Sequence, residues 1–293
     1  MRRFATYIGI DLGGARGKTT AVAMLTGNDD GGAMVQSIDS RHQGVPWTDQ
    51  VLVDFLAASA QAAPTVVAID APLTDPACVR CELPVCPGQA QCDVPSVRWL
   101  GERGLAMQEA AAAALDRIAV IPSHGTAHTE SLASAPHSAP LAAYTHRCAE
   151  LHLHFEVGVL ARDQVGRATG PLAARAGHLR KVLAGRGFEL NDNLLEVSPR
   201  ATVFALFGER KARGYKRDAD PWLTRASIIE ALSTELHFSP QSRMSREEVL
   251  RNDHCFEALL CGYTAFLADR DQWTMPSDPV FHEDGWIWAP PNR

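Results

Sequence analysis

Short apolar runs bounded by turn residues divide the first quarter of the chain into strands and one helix. The runs have the length and composition of buried or half-buried strands, and they lie at residues 7–12, 19–25, 33–40 and 65–70. Between the third and fourth runs, residues 48–62 place apolar side chains at helical spacing. This order of elements predicts an α/β fold, because strands interleaved with helices pack as a sheet covered by helices.

The rest of the chain is predicted to be mainly helical, with one further strand at residues 194–197. The predicted helices lie at residues 106–117, 141–160, 171–185, 200–207, 221–236 and 246–268. The last of them begins with Ser245-Arg246-Glu247-Glu248, which has the capping-box pattern. Four prolines between residues 73 and 100 predict a loop there. We therefore expect one domain over residues 1–293, with a Cys-rich loop at about 73–100 and a helical insertion at about 101–190.

Composition and charge narrow the class of protein. The chain of 293 residues is 46% hydrophobic, and no apolar run approaches the length of about 18 residues that a transmembrane helix needs. The first strand follows directly on the N-terminal residues, so we expect no secretory signal and a cytoplasmic protein. The 28 Lys and Arg residues against 34 Asp and Glu residues give a net charge of −6. Binding to nucleic acid would therefore require a local basic surface.

Five carboxylates stand where a sheet and a helix could bring them together. Asp11, Asp70 and Glu196 come at the ends of apolar runs, and Asp253 and Glu257 are four residues apart on the last predicted helix. Ligands of open α/β sheets bind at the carboxyl ends of parallel strands, which predicts a site at this edge. The alternative is that the strand acids cap their strands and the helix acids face solvent.

Carboxylates that converge repel one another unless a cation lies between them. Oxygen ligands suit Mg²⁺ or Mn²⁺. Two such ions about 4 Å apart can activate water and stabilise the departing oxygen of a phosphate ester. A site of this kind would hydrolyse phosphodiesters, and nucleic acid would be the substrate.

The same segments carry a resemblance to a known family. In order along the chain stand Gly9-Ile10-Asp11, Val67-Ala68-Ile69-Asp70-Ala71-Pro72, Leu195-Glu196-Val197-Ser198-Pro199-Arg200-Ala201, Phe256-Glu257-Ala258-Leu259-Leu260-Cys261-Gly262-Tyr263-Thr264-Ala265 and Glu283-Asp284-Gly285-Trp286-Ile287. Together they resemble the family called domain of unknown function 429, predicted nucleases of the RNase H-like fold. The resemblance covers most of the chain.

This resemblance implies an RNase H-like mixed five-stranded sheet of order 3-2-1-4-5, with helices on both faces. It implies that Asp11 is the first-strand acid and that Asp70 is the acid of the Ile-Asp-Ala-Pro segment. Glu196 matches the Glu before the family's Pro, and Glu257 stands where a late-helix acid, usually Asp, is expected. Asp11, Asp70 and Glu257 would then hold Mg²⁺ or Mn²⁺, with Asp253 and Glu196 completing the catalytic set.

Four of the seven cysteines fall within fifteen residues of the predicted loop. They are Cys78, Cys81, Cys86 and Cys92. Four thiolates in so short a segment could bind a structural Zn²⁺ or an iron–sulfur cluster, or they could be thiols without metal. Metal binding would order a loop that has few apolar residues. The remaining cysteines, at positions 148, 255 and 261, fall in predicted helices and are expected in the core.

Two further observations bear on function. Residues 210–217 are rich in Lys and Arg and could contact phosphates, with Tyr215 and Trp222 nearby to stack on bases. Residues 8–14 are similar to the first phosphate loop of sugar kinases and actin-like ATPases, which makes a phosphotransferase of that class an alternative. A non-catalytic binding module on the RNase H-like fold is another.

Overall fold

A mixed sheet of seven strands lies at the centre of the computed structural model, which describes residues 2–14, 19–104, 106, 142–157, 159 and 169–291. The strands, numbered along the chain, are β1 (Thr6–Asp11), β2 (Ala21–Gly27), β3 (Ala33–Asp39), β4 (Arg41–His42), β5 (Val45–Pro46), β6 (Thr65–Asp70), β7 (Leu194–Val197), β8 (Leu236–Phe238) and β9 (Ile287–Trp288). Strands β4 and β5 form a separate hairpin, and the other seven form the central sheet. The helix predicted at 106–117 falls almost wholly outside the described residues.

The strand order is β8-β3-β2-β1-β6-β7-β9. Strands β1, β2 and β3 form an antiparallel meander, whereas β6, β7 and β9 run parallel to β1 on its other side. In the pairing of β1 with β6, Asp11 stands opposite Asp70. The two acids that were predicted to end neighbouring strands therefore end them side by side.

The prediction of a five-stranded sheet with order 3-2-1-4-5 is wrong in its extent. Two strands at the edges, β8 beside β3 and β9 beside β7, bring the number to seven. They have three and two residues, so neither is long enough to show an alternating pattern in the sequence. Only the first residue of β8, Leu236, falls within the helix predicted at 221–236.

The helices of the described residues include α1 (Asp49–Ala62), α2 (Cys148–Val157), α3 (Gly170–Ala184), α4 (Pro199–Phe207), α5 (Glu209–Arg217), α6 (Pro221–Ala231), α7 (Arg243–Arg251), α8 (Asp253–Arg270) and α9 (Val280–Asp284). Residues 95–104 are also helical, so the loop predicted to extend to residue 100 ends earlier. None of the described helices is long and apolar enough to cross a membrane.

The helix predicted at 246–268 is two helices that meet at Asn252. Asn252 has extended backbone, and its side chain accepts a hydrogen bond of 3.0 Å from the His254 N–H, so it is the N-cap of α8. The capping-box segment at Ser245 lies inside α7 and does not start the long helix. This break matters for function because it places Asp253 and His254 in the first turn of α8.

Helices cover both faces of the sheet. Alternate residues of β1 point to opposite faces, so Tyr7 belongs to the core cluster that contains α8, whereas Ile8 and Ile10 belong to the cluster that contains α1 and α3. Asp11 has the same parity as Tyr7 and therefore lies on the α8 face. The first turn of α8 crosses the carboxyl end of β1, and the candidate site forms there.

Candidate metal centre

The candidate site is built on two carboxylates at the carboxyl edge of the central strands. Asp11 and Asp70 are paired in the parallel register of β1 and β6, so their side chains lie on the same face. Asp11 is buried, and Asp70 is partly exposed. Each acid is the last residue of its strand. The chain leaves the sheet at this edge, so the last side chain of each strand borders the crevice.

Helix α8 adds an imidazole and a third carboxylate to this edge. His254 Nδ1 lies 2.5 Å from Asp11 Oδ2. Glu257, one turn further along α8, is buried with 4% of its surface exposed. Single donor atoms of Asp11, His254 and Glu257 all lie within 4.8 Å of one another, and this is the one such group of His, Cys, Asp or Glu in the described part of the chain. Two oxygens and one nitrogen at this spacing could hold a metal ion.

Helix α5 supplies a cation and a hydroxyl to the buried Glu257. Lys216 Nζ lies 2.5 Å from Glu257 Oε2 and 3.9 Å from Asp253 Oδ2. The Tyr215 hydroxyl donates to Glu257 Oε1 at 2.7 Å. Both oxygens of the carboxylate therefore have a donor, which is what allows a carboxylate to be buried. Tyr215 is 2% exposed, so the prediction that it stacks on a base is wrong.

The protonation of these groups reflects their mutual contacts. The hydrogen bond to Asp11 raises the pKa of His254, although its partial burial acts in the opposite direction. Burial and the neighbouring Asp11 raise the pKa of Glu257, whereas Lys216 and the Tyr215 hydroxyl lower it. Burial disfavours the charged form of Lys216, but the adjacent Glu257 outweighs it and the pKa of Lys216 is raised. The hydrogen bonds of His254 and Tyr215 and the positive charge of Lys216 thus offset part of the cost of burying these two carboxylates.

Of the predicted acids, Asp253 and Asp70 border this group. Asp253 lies one helical turn before Glu257, with 42% of its side chain exposed, and its carboxylate lies 3.9 Å from Lys216 Nζ. Asp70 stands beside Asp11 and close to the buried Cys261, whose pKa is raised well above its ordinary value by burial and then by Asp70 and Asp11. The predicted core position of Cys148, Cys255 and Cys261 is confirmed, since all three are buried.

Glu196 is separated from the other predicted acids by the alternation of its strand. It stands opposite Ile69 in the pairing of β7 with β6, so it shares the face of Ile69, away from Asp11. Its carboxylate accepts hydrogen bonds of 2.8 Å from Arg147 Nη1 and from the Leu73 N–H. Burial raises the pKa of Glu196, and the Arg147 guanidinium opposes that effect.

Arg147 is fully buried and also binds Glu150 within α2, with Nε 2.9 Å from Glu150 Oε1. This cluster of one cation and two carboxylates ties α2 to β7 and, through Leu73, to the segment that follows Asp70. The position of Glu196 thus serves the packing of α2 against the sheet. Removing a single member of such a buried cluster destabilises the fold because it leaves a buried charge without a partner.

The four cysteines of the predicted metal loop line one cavity of about 170 Å³. Cys81 and Cys86 are exposed, and Cys78 and Cys92 are partly exposed. Burial, followed by the charges of the other three thiols, raises the pKa of Cys78. The backbone N–H of Gly88 donates to Cys86 Sγ at 3.4 Å. The sulfurs surround a common space, but no three of them lie within 4.8 Å of one another.

Two residues of the site, His254 and Lys216, are absent from the set predicted from the sequence. His254 stands next to Asp253 and three residues before Glu257, a spacing that puts it on the same side of α8 as that glutamate. The break at Asn252 is the signal that would have identified it, because the break fixes His254 in the first turn. Lys216 had been noted only as part of a basic stretch, since nothing local connects it with a residue 41 positions later.

No curated protein and no solved structure matches the chain. A family model described as protein of unknown function (DUF429) matches residues 9–280, a range that includes Asp11, Asp70, Lys216, His254 and Glu257. Because the match spans most of the sequence, this α/β protein belongs to the DUF429 family.

Proposed function

We propose that the protein is a metal-dependent phosphodiesterase of the RNase H-like fold that cleaves nucleic acid. The observation that carries the proposal is the Asp11, His254 and Glu257 group beside Asp70 at the carboxyl edge of the central strands. The antiparallel meander of β1 to β3 followed by the parallel strands β6 and β7 is the arrangement expected of that fold, and it supports the proposal.

The chemistry of the donors suits a divalent cation. Carboxylates suit Mg²⁺ and Mn²⁺, and the imidazole of His254 makes a mixed set that favours Mn²⁺ over Mg²⁺. Asp11, His254 and Glu257 would hold the ion, with Asp70 next to it. Bound there, a divalent cation would supply Lewis-acid activation of a phosphoryl oxygen and of water.

The chain's own residues prepare this edge for a phosphate. Lys216 places a positive charge against Glu257 and is 41% exposed in its side chain, so it can also meet an anion from solvent. His254 holds the Asp11 carboxylate in one orientation through Nδ1. The Tyr215 hydroxyl fixes Glu257 in the same way. Carboxylates held in place by such contacts lose little freedom on binding an ion.

Replacing Asp70 with Asn tests this function, because the change keeps the size of the side chain and removes one charge beside Asp11. We expect Mn²⁺ binding to weaken and cleavage of labelled single- and double-stranded substrates to fall by about 10- to 100-fold. We expect folding to be intact or slightly more stable without metal, because repulsion between neighbouring carboxylates is relieved.

The matched control is Asp54→Asn on α1, an exposed acid whose side chain contacts Gln50 on the same helix. It should leave both cleavage and Mn²⁺ binding unchanged. A structural cap at Asp70 would behave oppositely: the Asn variant would lose about 1 kcal/mol of stability and keep its activity. That result would place the active site elsewhere.

For the Cys-rich loop, the proposal is a bound Zn²⁺ ion or an iron–sulfur cluster held by Cys78, Cys81, Cys86 and Cys92. The common cavity and the N–H contact to Cys86 Sγ support it. Elemental analysis of anaerobically purified protein should find zinc or iron near one equivalent per chain, and a Cys78→Ser/Cys86→Ser variant should lose it. Protein that contains neither metal would contradict this part of the proposal.

A further inference from the structure

Helix α5 carries an unusual concentration of positive charge for a chain whose net charge is −6. Five of its nine residues are Lys or Arg and one is Glu. At 100° per residue, four of the basic residues fall within an arc of about 120°. We call these four the α5 stripe: Arg210, Arg213, Lys216 and Arg217. All four are exposed, whereas Ala212 and Tyr215 face the core.

The α5 stripe leads directly to the candidate metal centre. Lys216 is the member that contacts Glu257 and approaches Asp253. Arg210 lies six residues earlier, which is about 9 Å along the helix axis. Arg213 makes only a distant pair of 3.6 Å with Glu209, both exposed. In the described part of the chain, no ion pair holds Arg210 or Arg217.

An exposed indole follows the end of the stripe by five residues in the chain. Trp222 lies in the first turn of α6 with 56% of its surface exposed, and Leu223 beside it is 68% exposed. Asp220 accepts hydrogen bonds of 3.1 and 3.2 Å from the N–H groups of these two residues, so the turn that presents Trp222 is fixed. Core packing does not account for an indole in this position. A flat aromatic surface close in the chain to a row of cations suits a base joined to a phosphate backbone.

We propose that the α5 stripe and Trp222 bind single-stranded nucleic acid and lead its backbone toward the Asp11, His254 and Glu257 group. The inference rests on the proposed function for its destination, but the binding itself requires no cleavage. The arginines contact phosphates, and Trp222 stacks on a base. Single-stranded substrate is favoured because a duplex keeps its bases stacked on one another and presents no free base face to an indole.

The test measures binding of a fluorescein-labelled single strand by fluorescence anisotropy in EDTA, over a series of salt concentrations. We expect the wild-type affinity to fall with salt, and an Arg210→Ser/Arg217→Ser variant to bind about tenfold or more weakly at low salt. Each lost phosphate contact should reduce the salt slope by about 0.7. The matched control is Arg246→Ser/Arg251→Ser, which removes two exposed arginines from α7. It should bind within about twofold of wild type, because surface charges away from a contact change affinity little.

A second pair of variants isolates stacking. Trp222→Ala should weaken binding of the single strand by about fivefold or more, whereas Trp222→Phe should retain most of it. Equal losses in the α5 and α7 variants would overturn the inference. Stronger binding to a duplex or to anionic lipid vesicles would overturn it too, as would absence of binding. Binding by the α5 stripe without any metal-dependent cleavage would support this inference and contradict the proposed function, so the two can fail separately.

Discussion

At the scale of single residues, the candidate site depends on how its buried carboxylates are neutralised. Asp11 is held by His254, and Glu257 is held by Lys216 and the Tyr215 hydroxyl. A buried carboxylate without such partners would be protonated or would destabilise the fold. A metal ion bound between Asp11 and Glu257 would take over part of this role. Lys216 and the ion therefore compete for the same carboxylate.

This competition predicts the behaviour of Lys216→Met. Without metal, Glu257 loses its cation, and we expect the free energy of unfolding to fall by about 1–3 kcal/mol. With saturating Mn²⁺, the melting temperature of the variant should rise by more than that of wild type, because the ion then neutralises Glu257 unopposed. Thermal melts with and without Mn²⁺ measure both effects. Lys181→Met, an exposed lysine on α3, is the control and should show the wild-type shift. An equal shift in the Lys216 variant would contradict the competition.

The predicted carboxylates differ in how far their positions follow from the sequence. Asp11 and Asp70 could be predicted as neighbours because each is the last residue of its strand and parallel strands align their ends. Glu196 could not be assigned in this way, because it is the third of four residues in β7 and its face depends on the register. A shift of one residue in that register would have turned it toward Asp11.

At the scale of elements, the site depends on how closely α8 crosses β1. Gly9 of β1 lies against the backbone of α8, so that a Cβ at Gly9 would overlap the Ala258 carbonyl oxygen and the Gly262 nitrogen. Gly262 in turn faces the Gly9 backbone and the Leu25 side chain. These two glycines allow the helix to approach until Glu257 and His254 reach Asp11. A glycine inside a strand often marks such a close approach of two backbones.

Gly9→Ala should therefore push α8 away from the sheet. We expect a loss of about 3 kcal/mol or more in the free energy of unfolding, because the overlap is with backbone and not with a flexible side chain. We also expect weaker Mn²⁺ binding. Urea unfolding measures the first effect. Gly177→Ala on α3 is the control: nothing lies within 4 Å of its Cβ, and an alanine there should stabilise the helix by about 0.5–1 kcal/mol. A neutral Gly9 variant would contradict the close crossing.

The far end of α8 is joined to the sheet edge by an ion pair that titrates. Arg270 Nη1 lies 2.7 Å from Oε2 of Glu235, the residue just before β8. The Tyr263 hydroxyl donates to the same oxygen at 3.1 Å. The hydrogen bond from Arg270 lowers the pKa of Glu235. The pair therefore stabilises the fold above the ordinary glutamate pKa of about 4.3, and this contribution is lost as pH falls through the lower pKa of the folded state.

Glu235→Gln is expected to reduce stability at neutral pH by less than about 1 kcal/mol, since the pair is partly exposed. Below both pKa values the variant and wild type should be equally stable. Urea unfolding over a series of pH values measures the difference. Glu230→Gln, an exposed glutamate on α6 with only a 3.9 Å contact to Arg246, should show no such pH dependence. A difference that persists in acid would show that Glu235 stabilises the fold by packing and not by charge.

Elements were predictable in proportion to their length. Strands β1 to β3 and β6 were recognised because six or seven consecutive residues show an apolar or alternating pattern. The two edge strands have too few residues for any pattern, and only their tertiary pairing creates them. The division of the long C-terminal helix at Asn252 was missed because Ser245 offered a stronger capping pattern.

At the scale of the whole molecule, the carboxyl edge of the sheet and the α5 stripe meet at Lys216. The net charge of −6 would repel an anionic strand at a distance, so the attraction has to be local. Helix α5 supplies it on the side of the site where Lys216 lies. Neither feature depends on Glu196, whose ion pair with Arg147 holds the start of α2 against the sheet. In this proposal the acidic centre binds the metal ion, and the basic helix binds the nucleic acid.

The central claim is that a divalent cation binds between Asp11, His254 and Glu257. The most direct test is a titration of the protein with Mn²⁺, in which the loss of the free-ion electron paramagnetic resonance signal measures binding. We predict at least one equivalent bound by wild type and by Asp54→Asn, and binding weakened more than about 100-fold in Asp11→Asn and Glu257→Gln. Equal binding by all four proteins, or no binding by wild type, would contradict the account.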